Sequence, residues 1–157
     1  MLRIKEGTYL VIDNNTTELE NLLKNISSEN ELEQFISSTL SPIKTISFHE
    51  YIEEIRISKN LKKSTLISNS DISRTYAYQI LNGLKSPSRD NVIKLCLGGS
   101  FSVDESNKAL KLAGYNQLYS KNIRDGLIIY FLNNNYTVIN ANLTLDKHNL
   151  PPLGTSE

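Results

Sequence analysis

Asn60-Leu-Lys-Lys-Ser-Thr-Leu-Ile-Ser-Asn-Ser-Asp-Ile-Ser-Arg-Thr-Tyr-Ala-Tyr-Gln-Ile-Leu-Asn-Gly83 is the stretch that decides the fold of this 157-residue chain. Leu61, Leu66 and Ile67 supply the inner face of a short helix that Lys62 or Ser64 can start. Ser70-Asp71-Ile72 then makes a turn, with Ile72 as its apolar plug and Asp71 suited to a left-handed backbone. Ser73 stands where a helix cap belongs, before a second helix whose inner face is Ala77, Ile80 and Leu81. Ala77 is small enough to let the two helices pack closely. Asn82-Gly83 ends the second helix, because glycine takes the left-handed C-cap without steric cost. Arg74, Thr75, Tyr78, Gln79 and Asn82 are left for the outer face.

Working outward, every segment after residue 17 reads as helix. Leu19, Leu22, Leu23 and Ile26 are spaced i, i+3, i+4, i+7 and predict a helix over 17–26; Ser28 caps another carrying Leu32, Phe35 and Ile36. Ser38 to Thr45, with Pro42, reads as a linker. Phe48, Ile52 and Ile55 form an apolar stripe to about Ser58. Beyond the central stretch, Ser88 caps a helix through Leu97 that Gly98-Gly99 stops. Ser102 and Glu105 have capping-box spacing for a helix to Ala113. Ser120 opens a helix with Ile123, Leu127, Ile128, Phe131 and Leu132, and Thr137 opens a last one through Leu145. Only Thr8-Tyr-Leu-Val-Ile12, rich in β-branched and aromatic residues, predicts a short strand or extended arm. The expected fold is all-α, divided into an acidic N-terminal extension (1–44), a central domain (45–115) and a C-terminal helical extension (116–157).

The whole chain is formally neutral, which speaks against a nucleic-acid partner, but the charge is unevenly placed. Residues 59–94 hold Lys59, Lys62, Lys63, Arg74, Lys85, Arg89 and Lys94 against Asp71 and Asp90 alone. Residues 1–44 hold four basic and seven acidic residues. A basic segment inside a neutral chain is what a local phosphate-binding face requires, although a solvated helical surface has the same composition. The lone Cys96 excludes a disulfide framework and a cysteine-based zinc site, and its apolar neighbours predict a buried thiol. His49 and His148 lack metal-ligand spacing, and Gly98-Gly99 lies between helices rather than in a phosphate loop after a strand. Paired carboxylates such as Glu53-Glu54 read as plain helix surface. An enzyme and a cofactor are not expected. With no apolar run near the ~20 residues of a spanning helix, the expected compartment is the cytoplasm.

Two short helices joined by a tight turn can brace one element on a duplex backbone while the other enters the major groove. Arg pairs with guanine, and Gln with adenine, through two hydrogen bonds each. Leu61 to Gly83, including the closing Asn82-Gly83, resembles the Xre/Cro-type, or lambda-repressor-like, helix-turn-helix. Arg74 to Gly83 with Ser86-Pro-Ser-Arg-Asp90, Leu110-Lys-Leu-Ala-Gly114, Leu118-Tyr119, Arg124-Asp125 and Pro151-Pro-Leu153 is similar to a Firmicutes-type group of such proteins with N- and C-terminal helical extensions. The resemblance implies a lambda-repressor-like bundle that binds double-stranded DNA and regulates transcription. Carried over by position, it implies base contacts from Arg74, Thr75, Tyr78 and Gln79, and phosphate contacts from Lys63, Ser64 and Asn82. Lys62, Lys85 and Arg89 add nearby charge. Departures are Lys63 where relatives often carry Gln, Asp71 in place of the turn glycine, and Thr144 and His148 where they tend to carry leucine.

One such module buries limited surface, so a homodimer on a two-fold site is expected, with Ile128, Ile129, Tyr130, Phe131 and Leu132 as the candidate dimer surface. The alternative is a protein-interaction adaptor that keeps the scaffold without binding DNA, its acidic N-terminal helices meeting a regulatory protein partner. A phage-defence or antitoxin-like regulator would combine both roles.

Overall fold

The computed structural model describes residues 16–40 and 46–154. The expected strand or arm at residues 8–12 and the linker around Pro42 lie outside them. The chain divides after Thr45 into two compact units.

In the first unit, α1 (Thr16–Lys24) and α2 (Glu29–Phe35) are followed by a π-helical stretch, Ile36–Leu40. Ser28 caps α2 as expected, accepting the Glu31 N–H. Ser38 to Leu40 are helical where a linker was expected, because the Ser37 and Ser38 hydroxyls donate to the carbonyls of Glu33 and Gln34 and continue the coil. Phe35 is buried, while Leu23, Leu32, Ile36 and Leu40 stay exposed.

The second unit is formed by α3 (Phe48–Ser58), α4 (Lys63–Asn69), α5 (Arg74–Leu81), α6 (Arg89–Gly98), α7 (Val103–Leu112), α8 (Ile123–Asn133) and α9 (Val138–Lys147). Among the described residues there is no strand, and no helix is long and apolar enough to cross a membrane. The central helix is α6. It is buried continuously from Asn91 to Gly98, because α4, α7, α8 and α9 all pack on it. A single apolar core runs from Ile52, Leu66 and Ile80 through Leu95 and Phe101 to Ile128, Phe131, Leu145 and Leu153.

The boundary expected near residue 115 is therefore not a division of the structure: the C-terminal helices share the core of the central ones. Two reciprocal ion pairs reinforce this. Arg89 and Asp90 open α6, Arg124 and Asp125 open α8, and each arginine grips the other pair's aspartate with both terminal nitrogens, at 2.9–3.1 Å. Fork-on-carboxylate pairing of this kind adds geometric specificity as well as energy. Arg124 also donates to the carbonyls of Pro151 and Pro152, which straps the tail down and buries Leu153.

Caps agree with the sequence at Ser88, at the Ser102–Glu105 box and at Thr137. Three expectations are corrected. Helix α8 is opened by Asn122 rather than Ser120, because the Asn122 side chain reaches the Asp125 N–H. Ser73 holds the cap position of α5, but its side chain makes no cap bond there. The Gly98-Gly99 pair does not supply the left-handed residue that ends α6; Ser100 does, at φ 53°. Gly98 is needed for close approach instead, since a Cβ there would sit 2.9 Å from the Ser70 backbone nitrogen and 2.5 Å from its hydroxyl. A second capping box, Ser47 with Glu50, starts α3.

Cys96 is fully buried in α6, and desolvation pushes its thiol up to about 12. Since the thiolate is the reactive form, native protein at pH 8 is expected to leave a thiol reagent unreacted for as long as it stays folded, with full labelling in denaturant. Rapid native labelling would contradict this burial.

Candidate nucleic-acid interface

The link between α4 and α5 is fastened to α6 at three successive residues. Asn69 donates its amide to the Gly98 carbonyl at 3.3 Å. Ser70 is buried against Gly98, its hydroxyl turned back to the Leu66 carbonyl at 2.6 Å. Asp71 takes the left-handed conformation at φ 50°, and the Lys94 ammonium reaches its backbone carbonyl at 3.1 Å and its carboxylate at 3.7 Å. Ile72, next in line, is buried as the plug of the turn. Lys94 is 1% exposed. It counts in the basic segment of the sequence, yet it belongs to the interior, and its place within Val92-Ile-Lys-Leu-Cys-Leu97 is the sequence signal for that.

Helix α5 turns Ala77, Ile80 and Leu81 inward. It ends in a Schellman motif: the Leu84 N–H donates to the Gln79 carbonyl at 2.8 Å and the Gly83 N–H to Ile80 at 3.0 Å, with Gly83 at φ 73°. The outer face presents Arg74, Thr75 and Asn82 exposed, and Tyr78 and Gln79 half-buried. The Arg74 guanidinium lies 5.9 Å from the centre of the Tyr78 ring, a cation–π contact that steadies both side chains. Tyr76 is half-buried like Tyr78, with the Lys85 ammonium 5.5 Å over its ring.

Around α5 the structure sorts the remaining candidates. The Lys63 ammonium meets the Asn82 side-chain oxygen at 3.3 Å, so the start of α4 and the end of α5 are brought together. Lys62, Ser64 and Lys85 are exposed. An open groove between the two helices is lined by Ser64, Ile67, Ser68, Ile72, Arg74 and Tyr78. Ser68 was not anticipated; it lies one helical turn beyond Ser64, which is the signal that could have found it. Arg89 does not join this set, because both of its terminal nitrogens are committed to Asp125. Lys59 is likewise paired, with Glu105 at 3.1 Å. Of the seven basic residues in segment 59–94, Lys62, Lys63, Arg74 and Lys85 form no salt bridge among the described residues, although the pKa of Glu53 is lowered by its Arg56 hydrogen bond and, to a lesser degree, by the Lys63 charge.

This surface therefore offers cationic donors around a helix whose outer face carries two amides, Gln79 and Asn82, and one guanidinium, Arg74. Such a set can grip anions at its rim and hydrogen-bond flat polar edges at its centre. His49 packs its ring against Gly83 behind the helix, and the described residues contain no cluster of acidic, histidine or cysteine side chains that could hold a metal ion. The chain matches no family model, no curated protein and no solved structure.

Proposed function

We propose that residues 46–154 are a sequence-specific double-stranded DNA-binding module of the lambda-repressor-like helix-turn-helix kind, acting in transcription regulation. Helix α4 braces on the phosphate backbone and α5 enters the major groove. The observation that carries this reading is the contrast in the basic segment: Lys59, Arg89 and Lys94 form salt bridges with acids, while Lys62, Lys63, Arg74 and Lys85, placed on or beside α4 and α5, form none among the described residues. Arg74, Thr75, Tyr78 and Gln79 read base edges; Lys62, Lys63, Ser64, Asn82 and Lys85 hold phosphates. The bolts from Asn69, Ser70 and Asp71 to α6 keep the probe at one angle.

Selection of bound duplexes from a random pool tests the proposal. An enriched motif supports it, and a pool that stays random at micromolar protein contradicts it. Phosphate contacts release counterions, so each lysine replaced by alanine is expected to lower the slope of log affinity against log salt by about 0.9. Lys62→Ala, Lys63→Ala and Lys85→Ala each give that change on any duplex, whereas Arg89→Ala leaves the slope as it was. Titrations between low and moderate salt measure this.

The adaptor reading retains one favourable observation. The acidic first unit keeps Leu23, Leu32, Ile36 and Leu40 exposed, a surface suited to a protein partner. The two readings are compatible if that unit receives a regulator while the second unit binds DNA.

A further inference from the structure

We propose that α6, α8 and α9 form a receptor for an extended Pro-Pro-Leu segment, filled by the chain's own residues 151–154 and open to the same kind of segment in a partner protein. Three stretches that play no part in the DNA-facing surface meet at this place: Arg89-Asp90, Arg124-Asp125 and Pro151-Pro-Leu153.

Residues 151–154 belong to no helix, and their backbone bonds to no other backbone group among the described residues. Side chains hold them instead. Arg124 donates from Nε to the Pro151 carbonyl at 2.9 Å and from Nη2 to the Pro152 carbonyl at 3.1 Å. The Leu153 N–H donates to Asn142 Oδ1 at 2.7 Å, and the Gly154 N–H to Asp90 Oδ2 at 2.9 Å. Three helices thus read the main chain of four residues. The Arg124 fork rests on Asp90, so its donors stand aimed before the segment docks. Proline has a fixed φ and no N–H, so the segment loses little freedom on docking and brings no donor of its own before Leu153. The Leu153 side chain is 2% exposed and belongs to the core. A Cβ at Gly154 would stand 3.5 Å from Asp90 Oδ2, an ordinary contact, so the fourth residue is not confined to glycine.

Main-chain bonds that give affinity, with a side-chain pocket that gives selectivity, are how extended peptides are recognised. None of the four bonds depends on the segment being joined to α9. The tether through Leu150 adds only effective concentration, on the order of millimolar for a short connection. For a segment with an intrinsic Kd of about 10 micromolar, that tether keeps the cleft closed about 100 to 1, a threshold that excludes weak competitors. Two copies exchanging their segments would repeat the same contacts and lose association entropy without adding any. The occupant is therefore a different protein, whose Pro-Pro-Leu segment is reinforced by contacts beyond the cleft.

The test uses the full chain without DNA and a labelled synthetic peptide with the sequence of residues 149–156. Leu153→Asp, whose own segment no longer suits the core, is expected to bind the peptide about 100-fold more tightly than wild type does. The peptide with aspartate for its leucine should bind neither protein. Hydrogen exchange of wild type gives a second measure that needs no variant. The Leu153 and Gly154 amides should be protected only about 100-fold, through local opening, while Leu95 in α6 exchanges through global unfolding. Three results overturn the proposal. One is a folded Leu153→Asp that takes up no peptide at millimolar concentration. Another is exchange at Leu153 and Gly154 as slow as at Leu95. The third is a wild-type dimer in sedimentation that Leu153→Asp abolishes, which would make a second copy the occupant. If Leu153→Asp does not fold, the exchange rates decide alone. No duplex enters these measurements, so their outcome is independent of the DNA reading.

Discussion

Asp71→Ala is expected to lower the unfolding free energy by about 4 kcal/mol, a large effect for an exposed turn residue. Two causes add. Alanine at φ 50° is strained by about 1 kcal/mol. The ammonium of Lys94, nearly wholly buried, also loses its counter-charge; removing one member of a buried pair costs about 3–5 kcal/mol. The lower figure applies because the Asp71 side chain is 61% exposed and its carboxylate stands 3.7 Å away. Asp71→Gly, which accepts the backbone angle and keeps the carbonyl, should cost only the electrostatic part, about 3 kcal/mol.

Lys94→Met removes the buried charge with little change of volume. It leaves only the Asp71 carbonyl without its donor, at about 1 kcal/mol. The double variant with glycine and methionine is then expected to be scarcely less stable than Lys94→Met alone. Urea denaturation of the four proteins measures the coupling. Additive losses would mean that the pair does not hold the turn.

Gln79→Ala and Arg74→Ala are each expected to cost about 1–3 kcal/mol on the selected duplex and to relax preference at one base position. On random duplex Gln79→Ala should have almost no effect, since an amide contributes nothing to counterion release, while Arg74→Ala loses a part common to all sequences. Asn82→Ala should weaken all duplexes alike, because its oxygen steadies Lys63 rather than reading a base. Competition with single-substitution duplexes measures each case. Equal losses on selected and random duplex for Gln79→Ala would remove it from the base-reading set.

Much of this architecture was legible because helix signals are local. Ser28, Ser88, Ser102 and Thr137 announce themselves by type and by the residues just after them, and apolar spacing marks Ile72, Ala77 and Ile80 as inner positions. The features that escaped depend on neighbours distant in sequence. Arg89 looked like a phosphate ligand until Asp125, on another helix, claimed it. Lys94 looked like surface charge, although its partner is the turn residue itself. Gly98 read as a helix stop, but it is glycine because Ser70 passes against it. The run at residues 128–132 read as an interface because it is apolar on every side. Only packing distinguishes the sides that face the core from Tyr130, which does not.

The most direct test of the central claim removes purine N7 acceptors from the selected duplex, one at a time, by 7-deaza substitution. N7 lies in the major groove and is the atom that Arg and Gln share with O6 of guanine or N6 of adenine in two-point pairing. Specific positions are predicted to lose affinity for wild type; one of them becomes indifferent in Arg74→Ala, and another does so in Gln79→Ala. Binding unaffected by N7 removal, or a wild-type sensitivity pattern kept unchanged by both variants, would contradict α5 as the reader of the groove.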